Sequence, residues 1–166
     1  MIKKVAYILL AILIIIQFIR PARNISSAEQ VNHISKKYTV PANVNTVLEK
    51  ACNDCHSNNT IYPWYTNIQP VGFWMDDHVK DGKDELNLSE FLTYSPKKAR
   101  HKMEEVVDMV KEGEMPLDSY TWIHTEAKLT QEEKTALTDW ASALVTQITK
   151  ENNLPPSEPK PAKKEN

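Results

Sequence analysis

The chain has 166 residues, enough for one modest domain with extensions that can bury a core and a cofactor. Beyond residue 28 it carries 16 Lys and Arg against 22 Asp and Glu, a formal charge of −6. An acidic domain of this kind is a poor nucleic-acid binder, and most of the charge reads as solvated surface.

Lys3 and Lys4 precede Val5 to Ile19, fifteen residues without a charge in which only Gln17 is strongly polar. Such a run is a secretory h-region or a short membrane anchor. As a helix it spans about 22 Å, short of the roughly 30 Å hydrocarbon core unless the flanking Lys and Arg snorkel. Ser26-Ser27-Ala28 is a passable cleavage site but lies nine residues past the apolar run, so an uncleaved anchor over 1–23 is expected. Lys3 and Lys4 on one side balance Arg20 and Arg23 on the other, and charge alone does not orient the segment. Residues 24–41 are polar and aperiodic, and read as a tether.

Pro41 opens a helix in which Val44, Val47, Leu48 and Ala51 form one apolar stripe running into Cys52-Asn53-Asp54-Cys55-His56. The pentapeptide reads C-x-x-C-H, the spacing at which haem is attached covalently. Positions i and i+3 share a helical face, so both thiols can reach one flat macrocycle, and His56 can ligate iron through a neutral nitrogen. Three other readings compete, and chance, the first of them, is opposed by both of the chain's cysteines falling in this pentapeptide. A redox disulfide usually accompanies a βαβ pattern, which is absent, and a closed zinc site needs a second Cys/His cluster, also absent. Covalent haem is fitted outside the cytoplasm, so the domain is expected to face the periplasm or cell exterior.

Residues 57–75 form a loop rich in proline and aromatics, among them Pro63, Trp64, Tyr65, Phe73 and Trp74. Such a loop reads either as ordinary core filling or as the wall of a haem pocket, and the second is favoured. Asp76 to Leu92 is less regular, with Gly82 as a turn. Ser95-Pro96 starts a helix with Ala99, Met103, Val106, Val107 and Val110 on one stripe, stopped by Gly113. Thr130 and Glu133 form a capping box before a last helix whose Leu137, Trp140, Leu144 and Ile148 face inward. The haem domain is therefore placed at 42–150, and 151–166, rich in Pro, Lys and Glu, as a disordered tail.

The second axial position decides between a carrier and a catalyst or sensor. Met115 is the leading candidate: it lies in a loop just past a helix end, and Pro116 stiffens the backbone behind it. Met103 belongs to its helix's buried stripe, while His101 and Met109 fall off it and read as surface. His78 and His124 are rivals whose ordinary role would be hydrogen bonding to propionates or backbone.

The order of helix, C-x-x-C-H, loop, helix, Met-Pro, capping box and terminal helix resembles class I cytochrome c. More closely, the chain is similar to the small bacterial haem-binding-domain family of monohaem proteins. The residues carrying that likeness are Cys52 to Ser57, Tyr62-Pro63-Trp64-Tyr65, Asp77-His78-Val79, Leu86 to Phe91, Met115-Pro116, Tyr120 and His124 to Ala127. It covers about residues 44–145. Family members often carry tryptophan at the position of Phe91, which bears on local packing only. The resemblance implies c-type haem as cofactor, joined through Cys52 and Cys55, in a small all-α domain. The expected function is a membrane-anchored monohaem cytochrome passing single electrons to redox partner proteins. The alternative is a haem enzyme or ligand sensor with an open sixth position and His78 or His124 as distal acid/base.

Overall fold

The computed structural model describes residues 1–157. Its helices are α1 (Ile2–Ile16), α2 (Ala42–Ala51), α3 (Asn53–His56), α4 (Val71–Glu85), α5 (Pro96–Glu112), α6 (Asp118–Thr121) and α7 (Gln131–Glu151). Among the described residues the only strand-like pairing is one bridge between Ile25 and Asn59. The expected all-α class is observed.

α5 and α7 form the main packed pair. Ser95 caps α5 by accepting from the Lys98 amide at 3.3 Å, with Pro96 at the first helical position. Gly113, at φ +76, ends it in the left-handed region where a side chain is strained. The capping box of α7 is complete: the Thr130 amide donates to Glu133 Oε2 at 2.8 Å, and the Glu133 amide to Thr130 Oγ1 at 3.3 Å. Between the two helices Met103, Val110, Leu137, Trp140, Leu144 and Ile148 are buried, with Val106 and Val107 half-buried beside them. α2 lays Val44, Val47 and Leu48 on the same core. Trp140 spans the joint, its indole N–H donating to the Thr39 carbonyl at 3.0 Å.

Three expectations differ from the structure. Residues 24–41 do not hang as a loose tether: Ile34 and Tyr38 are in the core, with Tyr38 edge-on to Phe91. Asn24 fastens the start of the segment, donating to the Ser57 carbonyl at 2.8 Å and to Thr60 Oγ1 at 2.9 Å. Two large side chains without a period suffice to dock it, because burying each is worth about 1.5–3 kcal/mol. Second, α4 begins at Val71, so Phe73 and Trp74 of the stretch read as a loop to residue 75 are helical, and it runs unbroken through Gly82. Third, the chain after α7 turns back, and Arg100 donates to the Pro155 carbonyl, so 152–155 are docked; the tail expected for 151–166 otherwise lies largely outside the described residues.

α1 carries no buried residue, and among the described residues no helix is long and apolar enough to cross a membrane. Its end is fastened to the domain. Gln17 and Gln69 exchange hydrogen bonds at 3.0 and 2.9 Å, and Gln69, itself buried, donates to the Ile19 carbonyl at 3.0 Å.

Candidate functional site

The chain kinks at Cys52 (φ −126, ψ −45), so the motif occupies its own short turn, α3, rather than the last turn of α2. The Cys52 carbonyl accepts from the amides of both Cys55 (3.2 Å) and His56 (2.9 Å), which gathers the two thiols and the imidazole on one turn. Asp54 braces that turn from behind. Its Oδ1 accepts from the Ile61 amide at 2.9 Å and its Oδ2 from the Tyr120 hydroxyl at 2.8 Å.

His56 is held by α4. Its Nδ1 lies 2.8 Å from the Gly82 carbonyl and 3.0 Å from the Leu86 carbonyl. Carbonyls only accept, so Nδ1 carries the proton and Nε2 keeps its lone pair. Burial, opposed by those same carbonyls, holds the imidazole below its ordinary pKa and keeps it neutral. This is the state in which an imidazole ligates a metal, with its other N–H anchored to fix the ring.

Gly82 makes the approach possible. A Cβ at this position would sit 2.8 Å from the Cys55 carbonyl oxygen and 2.9 Å from Cys55 Cβ. The glycine read from sequence as a turn is a contact point between α4 and α3. Asn87 and Ser89, just after α4, tie down the chain beyond His56: Asn87 Nδ2 donates to Asn58 Oδ1 at 2.8 Å, and the Asn58 amide to Ser89 Oγ at 3.1 Å.

Burial pushes the Cys52 thiol up to about 12, with Cys55 adding to it, and the Cys55 thiol up to about 11, with Asp54 adding to it. Both are neutral thiols, and they are not joined to each other. Neither thiol has the depressed pKa typical of a reactive redox cysteine. Among the described residues no three His, Cys, Asp or Glu side chains are gathered as a bare metal ion requires.

Two cavities open on the motif. The first, about 210 Å³, is bounded by Leu48 and Cys52 on one side, Met103, Val106 and Met109 of α5 on another, and Leu137 and Trp140 of α7. The second, about 240 Å³, lies against Cys55, His78, Gly82, Leu117 and Tyr120. Ala51, Cys52, His56, Glu85, Met115 and Pro116 border both. The cavities therefore meet where His56 and Met115 are. At the rim of the first, Lys102 bridges Glu85 and Glu105 at 2.7 and 2.8 Å. Burial alone would lower Lys102, but the two carboxylates outweigh it and hold the ammonium charged.

Cys52, Cys55, His56, Met115 and His78 are brought together on these cavities. His78 borders the second cavity, with its Nδ1 donating to the Trp74 carbonyl at 2.8 Å. His124 lies elsewhere: its Nε2 meets the Tyr65 hydroxyl at 2.5 Å, its ring stacks on Tyr120, and it borders neither cavity. Trp64 and Tyr65 do not wall the site either. Trp64 is largely exposed, and the apolar wall comes instead from α2, α5 and α7. Met109, read as surface, is half-buried on that wall. Gly82 and the carbonyl of Leu86 were missed in the sequence; a lone glycine inside a helical run beside the motif was the available signal.

The donor set fits one kind of group: a large, flat, apolar macrocycle carrying iron. It offers an apolar cleft, two neutral thiols on one turn, an imidazole with its lone pair free, and a thioether at the same waist. Comparison with known proteins agrees with this chemistry. Residues 11–143 match a family described as haem-binding domain. No curated protein and no solved structure matches the chain.

Proposed function

The chain belongs to the haem-binding-domain family, and on that premise we propose that it is a membrane-anchored c-type cytochrome that carries single electrons. Cys52 and Cys55 would hold the haem as thioethers, and His56 Nε2 and Met115 would ligate its iron. Bound there, the iron supplies a one-electron couple. The protein's part is to fix the ligands, exclude water with the α2–α5–α7 wall, and keep the imidazole neutral. With both His56 and Met115 on the iron no place would be left for substrate, as suits a carrier rather than a catalyst. A thioether raises the potential relative to a second imidazole.

The observation that carries the reading is the His56 Nδ1 anchorage to Gly82 and Leu86 at 2.8 and 3.0 Å. A core histidine satisfied at one nitrogen would leave its other nitrogen facing apolar atoms at a cost. Here that nitrogen belongs to a side chain bordering both cavities. α1 is the anchor in this proposal, with Lys3 and Lys4 at one end and Arg20 at the other, and the haem domain faces the periplasm or cell exterior. Redox proteins at that surface are the partners.

His78 supports a second reading. It borders the second cavity with its Nδ1 engaged by the Trp74 carbonyl, so its Nε2 could supply the sixth ligand in place of Met115, or an acid/base beside an open iron in an enzyme or sensor.

The deciding experiment is production with a c-type maturation system, followed by denaturation and acid extraction. The haem stays with the polypeptide in wild type, and Cys52→Ala or Cys55→Ala leaves a single, weaker link or abolishes maturation. Free extraction from wild type would sink the covalent reading.

A further inference from the structure

The end of α1 is locked to the segment leading into α4, and that lock fixes which face of the domain lies beside it. Besides the Gln17–Gln69 pair, Arg20 donates to the Asn67 carbonyl, and Arg23 donates to Asn67 Oδ1 at 2.8 Å. The segment so held displays Ile61, Trp64 and Ile68 to solvent, with Trp64 75% exposed. A second loop is joined to it through the Tyr65–His124 hydrogen bond, and it displays Ile123 and Trp122, the latter 84% exposed. Two tryptophans this bare on adjoining loops are unusual, because burying each removes a large apolar area from water.

Resting on the anchor reading above, we propose that these two loops lie on the lipid bilayer where α1 enters it. Trp64 and Trp122 sit at the interface, and Arg20 and Arg23 at the level of the phosphates. Tryptophan suits that depth, since its ring is apolar and its N–H is polar, and arginines at helix ends reach for headgroups. A protein partner is the weaker occupant. Such a partner would seek the edge of the haem cleft, and neither tryptophan borders either cavity there. The surface is also continuous with α1, whose apolar side chains are exposed as far as Ile15, with Ile16 half-buried. The domain then stands on the membrane at a fixed height and does not swing.

The test uses the full-length haem-loaded protein in phospholipid vesicles, with hydroxyl radicals made by X-ray radiolysis of water and oxidation read by mass spectrometry. Exposure alone orders the rates as Trp122, Trp64, then Trp74 at 40% and Trp140 at 9%. On vesicles the order should invert, with Trp64 and Trp122 slowed several-fold and falling below Trp74. Flotation with the vesicles is scored separately in the same samples. Flotation with Trp64 and Trp122 still faster than Trp74 overturns the proposal and leaves the anchor standing. Failure to float overturns the anchor and the proposal with it. Protection that vanishes as protein is diluted at constant lipid means that a second copy covers the patch, and also overturns it.

Discussion

The imidazole Nδ1 of His56 and the carbonyl of Gly82 are 2.8 Å apart, and the same glycine lets α4 come within van der Waals range of Cys55. One residue thus sets both the orientation of the His56 imidazole and the spacing of the helix behind it. Gly82→Ala puts a methyl into contacts below 3 Å with Cys55. Alanine gains at most about 1 kcal/mol in helix propensity, whereas overpacking costs about 1–3 kcal/mol. The expected result is a lower denaturant midpoint together with reduced haem incorporation. An unchanged midpoint with full haem content would show that α4 slides aside freely.

Met115 borders both cavities beside His56. With Met115 as the sixth ligand, wild type resists carbon monoxide, and Met115→Ala binds it quickly once reduced and loses any sulfur-to-iron charge-transfer band. Met115→His keeps six-coordination at a lower reduction potential. His78→Ala then leaves coordination intact. A spectrum insensitive to Met115→Ala but altered by His78→Ala assigns the ligand to the histidine; ready carbon monoxide binding by wild type favours the enzyme or sensor.

Asp54, buried behind the C-x-x-C-H turn, depends on Tyr120 for one of its hydrogen bonds. Burial first, and then the bond to Asp54, push the Tyr120 phenol well above its ordinary range, so it stays a donor throughout the working pH range. Tyr120→Phe leaves Oδ2 without that donor, an expected loss of about 1–3 kcal/mol in chemical unfolding. Asp54→Asn should cost less, because its carbonyl still accepts from the Ile61 amide and its NH₂ can donate to the tyrosine oxygen. Neither change should move the visible spectrum, since the proposed ligands are His56 and Met115.

His33 caps the turn that buries Ile34, accepting at Nδ1 from the Ser35 amide at 3.2 Å. Burial, with Lys36 adding to it, holds its pKa below the ordinary 6.5. As pH falls through about 6.5 the unfolded chain takes up a proton that the folded chain refuses, so stability declines and levels off below the folded pKa. His33→Gln should flatten that decline in a series of unfolding curves between pH 7.5 and 5. An equal slope in wild type and variant would place the proton uptake elsewhere.

Much of the chemistry was legible in the chain. C-x-x-C-H, Ser95-Pro96, the Thr130–Glu133 box, Gly113 and the stripes of α2, α5 and α7 are local or periodic signals. Each depends on residues within a few positions of one another, and local backbone geometry is all that such a pattern needs. What failed to show was what depends on which distant segments meet. Gly82 looks like a turn until α3 is seen to press on it. The aromatic loop looks like a pocket wall until α5 and α7 are seen to supply one. The aperiodic stretch 24–41 looks like a tether until Ile34 and Tyr38 find the core. The sequence alone determined the candidate donor residues and the long helices α2, α5 and α7 around them. Only the packed chain decided which carbonyls hold His56, which side chains close the cleft and which face stands next to α1, because those follow from long-range burial and close approach, which leave no periodic trace in the sequence.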